Sequence, residues 1–356
     1  MSTPPEAALT APQAVQPTSD IAVIVNANAG RFRPRLAAAL AALVPADRLF
    51  LTHTEEEADA ALRAVADRGV DTVFAGGGDG TIVGIINRLA RVRGLGGLPR
   101  IAVLPLGTGN ALGRWLGMPS PERALRDWLE GLPHHLVTVP MVQTEGMLYP
   151  FGGLGHDAAV LNDYNALKRR FQHSRWWPLL KGIPGYLLAA YLWTIPNYLR
   201  RGSVRVRITN LGRPAIRLGP GGVPQGEGAP PGTVLYDGTC TMVGAASTPL
   251  LGYGMRFFPY ADTRPGYIQL RLLDMSAFTA GMHLIPAWRG TLRHPQLHDW
   301  HIERVRVQFR DAMPFQVGGE ACGYRDEVRF ESTPIPVRLI AHGPPPNPSP
   351  GGILRA

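Results

Sequence analysis

Cysteine is nearly missing from this chain: Cys240 and Cys322 stand far apart, with no CxxC and no histidine at metal-ligand spacing. Neither a disulfide framework nor a zinc site is indicated, and a reducing cytosol is the expected compartment. Residues 1–20 contain no lysine or arginine and no apolar core, so they read as neither a signal peptide nor a helix. No Gly-x-Ser-x-Gly run occurs, which removes the serine-elbow hydrolases and leaves His156 and Asp157 without a triad nucleophile. The most apolar run, Ile183 to Leu199, is short for a membrane span and carries Pro184, Pro196 and Asn197.

Acidic residues are also missing from Tyr164 to Arg207, a stretch with nine lysines or arginines interleaved with Trp176, Trp177, Tyr186, Tyr191, Trp193 and Tyr198. Basic ends with aromatic rings between them suit a lipid headgroup interface, and they equally suit a helix lying on a sheet with solvated arginines at its ends. The net charge of +9 points to an anionic partner, and charge alone does not choose between nucleic acid and a membrane surface. With 356 residues and 45% hydrophobic composition, two ordinary domains with real cores are expected. The ends, 1–19 and 343–356, are rich in proline and small polar residues and are expected to be disordered.

From Ile21 to about Val139, short apolar runs alternate with helical patterns, which predicts βαβ units and a parallel sheet covered by helices. After Met141 the texture becomes β-rich with Gly and Pro breaks, which predicts an antiparallel sandwich or partial barrel, with Gly219 to Gly232 as a mobile loop. The boundaries read as 20–139 for an α/β domain and 140–334 for the β domain.

The richest motif is Ala75-Gly76-Gly77-Gly78-Asp79-Gly80-Thr81, which joins the strand Asp71 to Phe74 to an amphipathic helix opening at Thr81. Consecutive glycines let backbone N–H groups approach a polyphosphate and permit positive φ angles, and Thr81 is a plausible N-cap beneath a helix dipole. Asp79 would repel phosphate unless a divalent cation lies between them, so the loop predicts Mg²⁺ with a nucleotide. Pro105-Leu106-Gly107-Thr108-Gly109-Asn110 follows the fourth strand as a second glycine lip. Asn26-Ala27-Asn28-Ala29-Gly30 after the first strand and Thr52 after the second would complete the site. Four strand ends of one parallel sheet are where its ligands sit.

In order and spacing, Asn26 to Gly30, Gly76 to Thr81 and Leu104 to Asn110 resemble the diacylglycerol kinase catalytic domain shared by bacterial lipid kinases, sphingosine kinases and ceramide kinases. Phe151-Gly-Gly-Leu-Gly-His-Asp157-Ala-Ala-Val160 is similar to the family's entry into its second domain, and Ile335 to Ile340 to its strand returning to the first, which then holds 335–342. The resemblance implies an NAD-kinase-like or diacylglycerol-kinase-like α/β domain followed by a β-sandwich domain. It implies that Asn26, Thr52, the loop Gly76, Gly77, Gly78, Asp79, Gly80 and Thr81, and Gly107, Thr108 and Asn110 bind ATP, with Asp79 on Mg²⁺. Glu320, in Val317-Gly318-Gly319-Glu320, takes the place of the glutamate in the family's Asp-Gly-Glu motif and would be the general base beside Asp79 as the second catalytic residue.

Two departures stand out. The family's Asp-Gly-Glu is Gly318-Gly319-Glu320 here, and the Asp-Gly that helps bind a structural Mg²⁺ in bacterial members is Pro265-Gly266, with Asp262 nearby. Asp157 is expected to assist substrate or Mg²⁺, or simply to cap a turn. The function implied is ATP-dependent phosphorylation of a lipid hydroxyl, with diacylglycerol or a sphingoid base as acceptor, by a cytoplasmic enzyme held peripherally at an anionic inner membrane face. An NAD-kinase-like enzyme and a catalytically impaired nucleotide- or lipid-binding protein are the alternatives. No nucleic acid is expected, and a homodimer stays open.

Overall fold

The computed structural model describes residues 13–175 and 177–342. The disorder expected of 1–12 and 343–356, and the aromatic Trp176, lie outside the described residues. The chain divides into two compact units, one running to Met141 and resuming at Thr333, the other spanning Val142–Ser332.

Along the first unit run β1 (Gln13–Val15), β2 (Ile21–Asn26), α1 (Pro34–Ala41), β3 (Leu49–Thr52), α2 (Glu55–Arg68), β4 (Thr72–Gly77) and α3 (Asp79–Arg93). They are followed by β5 (Arg100–Pro105), α4 (Ala111–Trp115), α5 (Pro121–Leu129), β6 (His134–Val139) and, at the end of the chain, β19 (Val337–His342). Among the described residues these strands form one sheet in the order β1-β6-β19-β5-β4-β2-β3. The four strands β5, β4, β2 and β3 are parallel neighbours, so the glycine-rich segments that follow them leave the sheet side by side at its carboxyl edge. Continuous apolar runs such as Ile21 to Val25 and Val73 to Ala75 are buried on both faces, as a parallel sheet covered by helices requires. Val23, Phe74, Leu104, Trp128 and Ile340 share one core cluster, so the returning strand is part of this unit's interior.

Disorder expected up to residue 19 is corrected by β1, which pairs with β6 and buries Val15. The Trp128 indole N–H donates to the Thr18 carbonyl at 3.0 Å, and the Thr18 hydroxyl donates to Asp71 at 3.1 Å. One buried valine and these hydrogen bonds tie down a segment whose composition promised nothing.

The second unit opens with β7 (Val142–Thr144), β8 (Met147–Tyr149), β9 (Phe151–Gly155) and α6 (His156–Phe171). A helical run follows: α7 (Trp177–Leu180), α8 (Ile183–Ala189), a π turn at Ala190–Thr194 and α9 (Ile195–Arg201). Then come β10 (Val204–Asn210), β11 (Ala215–Leu218), β12 (Pro224–Ala229), β13 (Val234–Cys240), β14 (Met242–Ala246) and β15 (Ile268–Leu273). Helices α10 (Ala277–Met282) and α11 (Leu284–Arg289) precede β16 (Leu297–Ile302), β17 (Arg304–Val317) and β18 (Glu320–Ser332). Among the described residues these strands make one twelve-stranded antiparallel sheet. Its spine is the β17–β18 hairpin, whose register breaks between Gln308 and Met313; β10 pairs with β17 before the break and β9 after it. The two layers expected of a sandwich are therefore hydrogen-bonded branches of a single sheet.

Gly219 to Gly232 is not a loop throughout, because β12 within it adds an edge strand to β11. Deep in this unit Arg271 forms a two-pronged ion pair with Asp299, with Nε–Oδ1 and Nη2–Oδ2 distances of 2.8 Å, and Gln269 donates to the same carboxylate. Removing either partner would strand a buried charge.

Candidate active site

Gly78 is the N-cap residue of α3 and Asp79 its first residue, so the helix begins two positions before Thr81. The expected capping role of Thr81 is thereby corrected: its hydroxyl instead receives a hydrogen bond from Asn26 Nδ2 at 3.2 Å. Asn26 Oδ1 in turn accepts the Asn28 N–H at 2.9 Å, and Asn28 Nδ2 donates to the His53 carbonyl at 2.6 Å. Three strand-end loops are thus laced together by two asparagines. The first-turn N–H groups of α3 have no carbonyl within the helix to accept them, which leaves them for an anion at its positive end.

The glycines work by close approach and not by left-handed backbone, since none of Gly76, Gly77, Gly78, Gly80, Gly107 or Gly109 has positive φ. A Cβ on Gly77 would lie 2.4 Å from Thr81 Cβ, and one on Gly107 would lie 2.4 Å from Gly78 Cα. The loops after β4 and β5 therefore touch backbone to backbone. Gly77 O accepts N–H bonds from both Leu106 (2.9 Å) and Gly107 (3.1 Å), which locks the contact. Gly107→Ala is accordingly expected to force the two loops apart and abolish nucleotide binding. ATP titration by calorimetry on the folded variant checks this; affinity within threefold of wild type would contradict it.

Two residues expected to contact nucleotide also brace the loops. Asn110 sits at φ 50°, ψ 49° before α4, buried, with Oδ1 accepting the Gly107 N–H and Nδ2 donating to the Gly107 carbonyl, both at 2.8 Å. Thr52 is buried and its hydroxyl donates to the Val25 carbonyl at 3.3 Å. Both shape the site by holding its walls. Thr108 is exposed on the second loop, and a Cβ on Gly30 would come within 3.8 Å of its hydroxyl oxygen, so the loops after β2 and β5 meet there.

Asp79 Oδ1 accepts the Leu112 N–H at 3.4 Å, joining the start of α3 to the start of α4. Burial pushes its carboxyl above the ordinary carboxylate range, opposed by the N–H groups of Ala111, Leu112 and Asn110 and by the Arg114 charge. Among the described residues no three His, Cys, Asp or Glu side chains gather into a metal cage. One carboxylate fits Mg²⁺ that arrives with phosphates, because that ion keeps its waters and phosphate oxygens and needs one or two protein carboxylates.

In the second unit Glu320 is the exposed first residue of β18 and pairs with Val317 across a two-residue turn. Gly318 (φ 57°) and Gly319 (φ 86°) both lie in the left-handed region, the signature of a type I′ hairpin turn. Such a turn takes Asn, Asp or Gly at its first position, so glycine at 318 keeps the turn while dropping a carboxylate. Gln316 Oε1 accepts the Gly319 N–H at 2.9 Å, and its Nε2 donates to Asp157 Oδ2 at 2.9 Å. Asp157 stands in the first turn of α6, and burial pushes its carboxyl above the ordinary range. Burial pulls neighbouring His156 down to about 4, so that ring is neutral near pH 7.

At Pro265-Gly266 the Gly266 carbonyl accepts from Arg213 Nη2 at 2.9 Å, and Arg213 Nε is paired with Glu303 at 2.8 Å. A guanidinium reaches this turn.

Residues 20–141 match the family model described as the diacylglycerol kinase catalytic domain. Through that unit the chain is similar to the catalytic domain of diacylglycerol kinases. Its relatives include a probable lipid kinase YegS-like protein of Citrobacter koseri, 26% identical over 250 residues and 70% of each chain. The diacylglycerol kinase of Bacillus subtilis is 36% identical over 105 residues, 28% of this chain and 34% of that one. A putative diacylglycerol kinase from Bacillus anthracis has the same fold, with a TM-score of 0.66 at 21% identity over 91% of this chain and 95% of that one. The matched residues include the strand-end loops after β2, β3, β4 and β5.

Sequence reading singled out the apolar, aromatic run Ile183 to Leu199 but missed the exposed apolar residues of α10 and α11 next to it. Leu192 (58% exposed) and Trp193 stand out on the α8–α9 run, and Phe278, Met282 (69%) and Ile285 on α10 and α11. The two groups belong to one face, since the Tyr191 hydroxyl donates to the Gly281 carbonyl at 3.1 Å. Helices as short as α10 and α11, six residues each, leave little signal in a linear sequence. No helix among the described residues is long and apolar enough to cross a membrane.

Proposed function

We propose that the protein is an ATP-dependent lipid kinase that transfers the γ-phosphoryl group of Mg·ATP to a lipid hydroxyl, with diacylglycerol or a sphingoid base as the acceptor class. The observation that carries this reading is the lacing of Asn26 to Thr81 together with the backbone contact of Gly78 and Gly107, which turns separate loops into one cradle at the head of α3. Asp79 is the protein's carboxylate for Mg²⁺, and bound Mg²⁺ would shield the phosphates from that carboxylate and neutralise charge on them. N–H groups at the start of α3 hold phosphate oxygens and stabilise charge as it develops.

Glu320 accepts the lipid hydroxyl's proton as the new P–O bond forms. A lipid alcohol is a poor nucleophile, and an exposed carboxylate on a fixed turn supplies the missing base. The mass balance is simple: the γ-phosphoryl leaves ADP, the alkoxide oxygen takes it, and the proton passes to Glu320. Incubation with labelled ATP and a total lipid extract, followed by identification of the labelled product, tests the whole reading. Label in NAD and in no lipid would overturn it.

Access to a lipid acceptor calls for attachment to a bilayer. The exposed apolar side chains of α8–α11, with Lys168, Arg169 and Arg170 in the last turn of α6, supply the apolar groups and positive charge that together favour an anionic surface. Leu192→Glu combined with Met282→Glu is expected to lower binding to phosphatidylglycerol-containing vesicles at least tenfold in a sedimentation assay, with ATP affinity unchanged. Vesicle binding at wild-type strength would remove this face from the proposal.

A further inference from the structure

Gln316 and Asp157 are separated by 159 positions in sequence, yet they meet beneath the turn that carries Glu320. The Gly319 N–H can only donate, so the Gln316 atom facing it must be the carbonyl oxygen, at 2.9 Å. The amide nitrogen then points to Asp157, whose Oδ2 accepts at 2.9 Å. Asp157 Oδ1 is buried without a partner among the described residues, so the carboxyl has been taken out of water and Gln316 is its side-chain donor. Room for it is made by Gly153 in β9, where a Cβ would lie 3.1 Å from Asp157 Oδ2. The far side of the turn is held as well, by the Gly318 N–H donating to the Phe151 carbonyl at 2.8 Å.

We propose that Asp157 and Gln316 are positioning residues: Asp157 fixes the orientation of the Gln316 amide, and that amide holds the Gly318-Gly319 turn so that Glu320 is presented in one place. The inference rests on the kinase reading given above, in which Glu320 is the base. It explains how a turn of two glycines, the least constrained pair a chain can place there, stays rigid enough for a catalytic carboxylate. Glycine at 318 supplies no side chain to brace the turn, and the brace comes from below through Gln316. Asp157 on this account touches neither lipid nor metal, so its negative charge is dispensable and only its acceptor oxygen is needed.

Three variants separate this role from substrate or metal binding. Gln316→Leu keeps the side-chain bulk and removes both hydrogen bonds; it is expected to lower kcat about 10- to 100-fold, the cost of a slightly misplaced group, with KM for Mg·ATP within twofold. Asp157→Ala is expected to behave likewise. Asp157→Asn retains an acceptor oxygen and is expected to keep kcat within threefold. A second readout needs no turnover: amide hydrogen exchange at Gly319 should speed up at least tenfold in Gln316→Leu, while the amides of β14 and β15 keep their protection.

The proposal is overturned if Gln316→Leu keeps wild-type kcat and Gly319 protection, or if Asp157→Asn falls as far as Asp157→Ala, which would mean that the charge itself binds substrate or metal. Should Asp157→Ala fail to fold, Gln316→Leu and Asp157→Asn decide the matter. An inactive wild type with no phosphorylated lipid would sink the kinase reading, and Gly319 exchange would still decide whether the brace exists.

Discussion

Glu320→Gln is expected to reduce lipid phosphorylation by about 10²- to 10⁴-fold, the usual loss when a positioned general base is removed, while leaving the affinity for Mg·ATP within twofold. The substitution is close to isosteric and the residue is exposed at the head of β18, so the fold has little reason to change. The N–H groups of its neighbours in the turn donate to the Phe151 carbonyl and to Gln316 Oε1, not to the Glu320 carboxylate. Loss of turnover can then be assigned to the missing proton acceptor. Steady-state kinetics with labelled ATP checks this: kcat should fall while KM for Mg·ATP holds. Full turnover in Glu320→Gln would transfer the role of base to another group. Failure of ATP affinity would mean that the residue shapes the nucleotide edge instead.

Much of the sheet's carboxyl edge was legible in the sequence, because apolar strands ending in glycine and asparagine announce both the sheet and its carboxyl side. Asn26, Gly77, Gly107 and Asp79 could be placed there from their position after a strand. What each does could not be. The glycines were expected to adopt positive φ, and they instead leave out a Cβ that would lie 2.4 Å from Thr81 at Gly77 and 2.4 Å from Gly78 at Gly107, the second a demand set by a loop that arrives from elsewhere in the chain. Asn110 and Thr52 read as ligand contacts, and the hydrogen bonds they make to Gly107 and Val25 were not readable from sequence.

Signals weakened wherever stabilisation was non-local. The strand β1 has a single buried residue, Val15, so no alternation betrays it. The edge strand β12, Pro-Gln-Gly-Glu-Gly-Ala, is mostly exposed and depends on β11 for its hydrogen bonds. The Gln316–Asp157 pair joins a strand and a helix 159 residues apart, a relation that no spacing rule detects. By contrast, the positions of glycine in the Gly318-Gly319 turn and of Glu320 after it were readable, since a two-residue hairpin turn has local requirements.

Asp79 should show a conflict between stability and function. Asp79→Asn is expected to lose about 10²- to 10³-fold in turnover, the scale of removing one electrostatic stabiliser of phosphoryl transfer, because an amide does not carry the charge that Mg²⁺ needs. The same variant should be more stable than the wild type without nucleotide. Burial raises the Asp79 carboxyl above its ordinary range, so the folded state binds this proton more tightly than the unfolded state does. Stability must then fall as pH rises from the unfolded carboxylate value of about 3.9 through the raised folded value, since the native form is the one holding the extra proton. Asparagine escapes that loss, and its side-chain oxygen can still accept the Leu112 N–H. Thermal unfolding of the apo proteins should therefore give equal midpoints near pH 3.5 and a higher midpoint for Asp79→Asn at pH 7, with the gap closing when Mg·ATP is added to the wild type. A gap that does not vary with pH would show that the carboxyl is not strained by burial. A fully active Asp79→Asn would remove it from the metal's side of the mechanism.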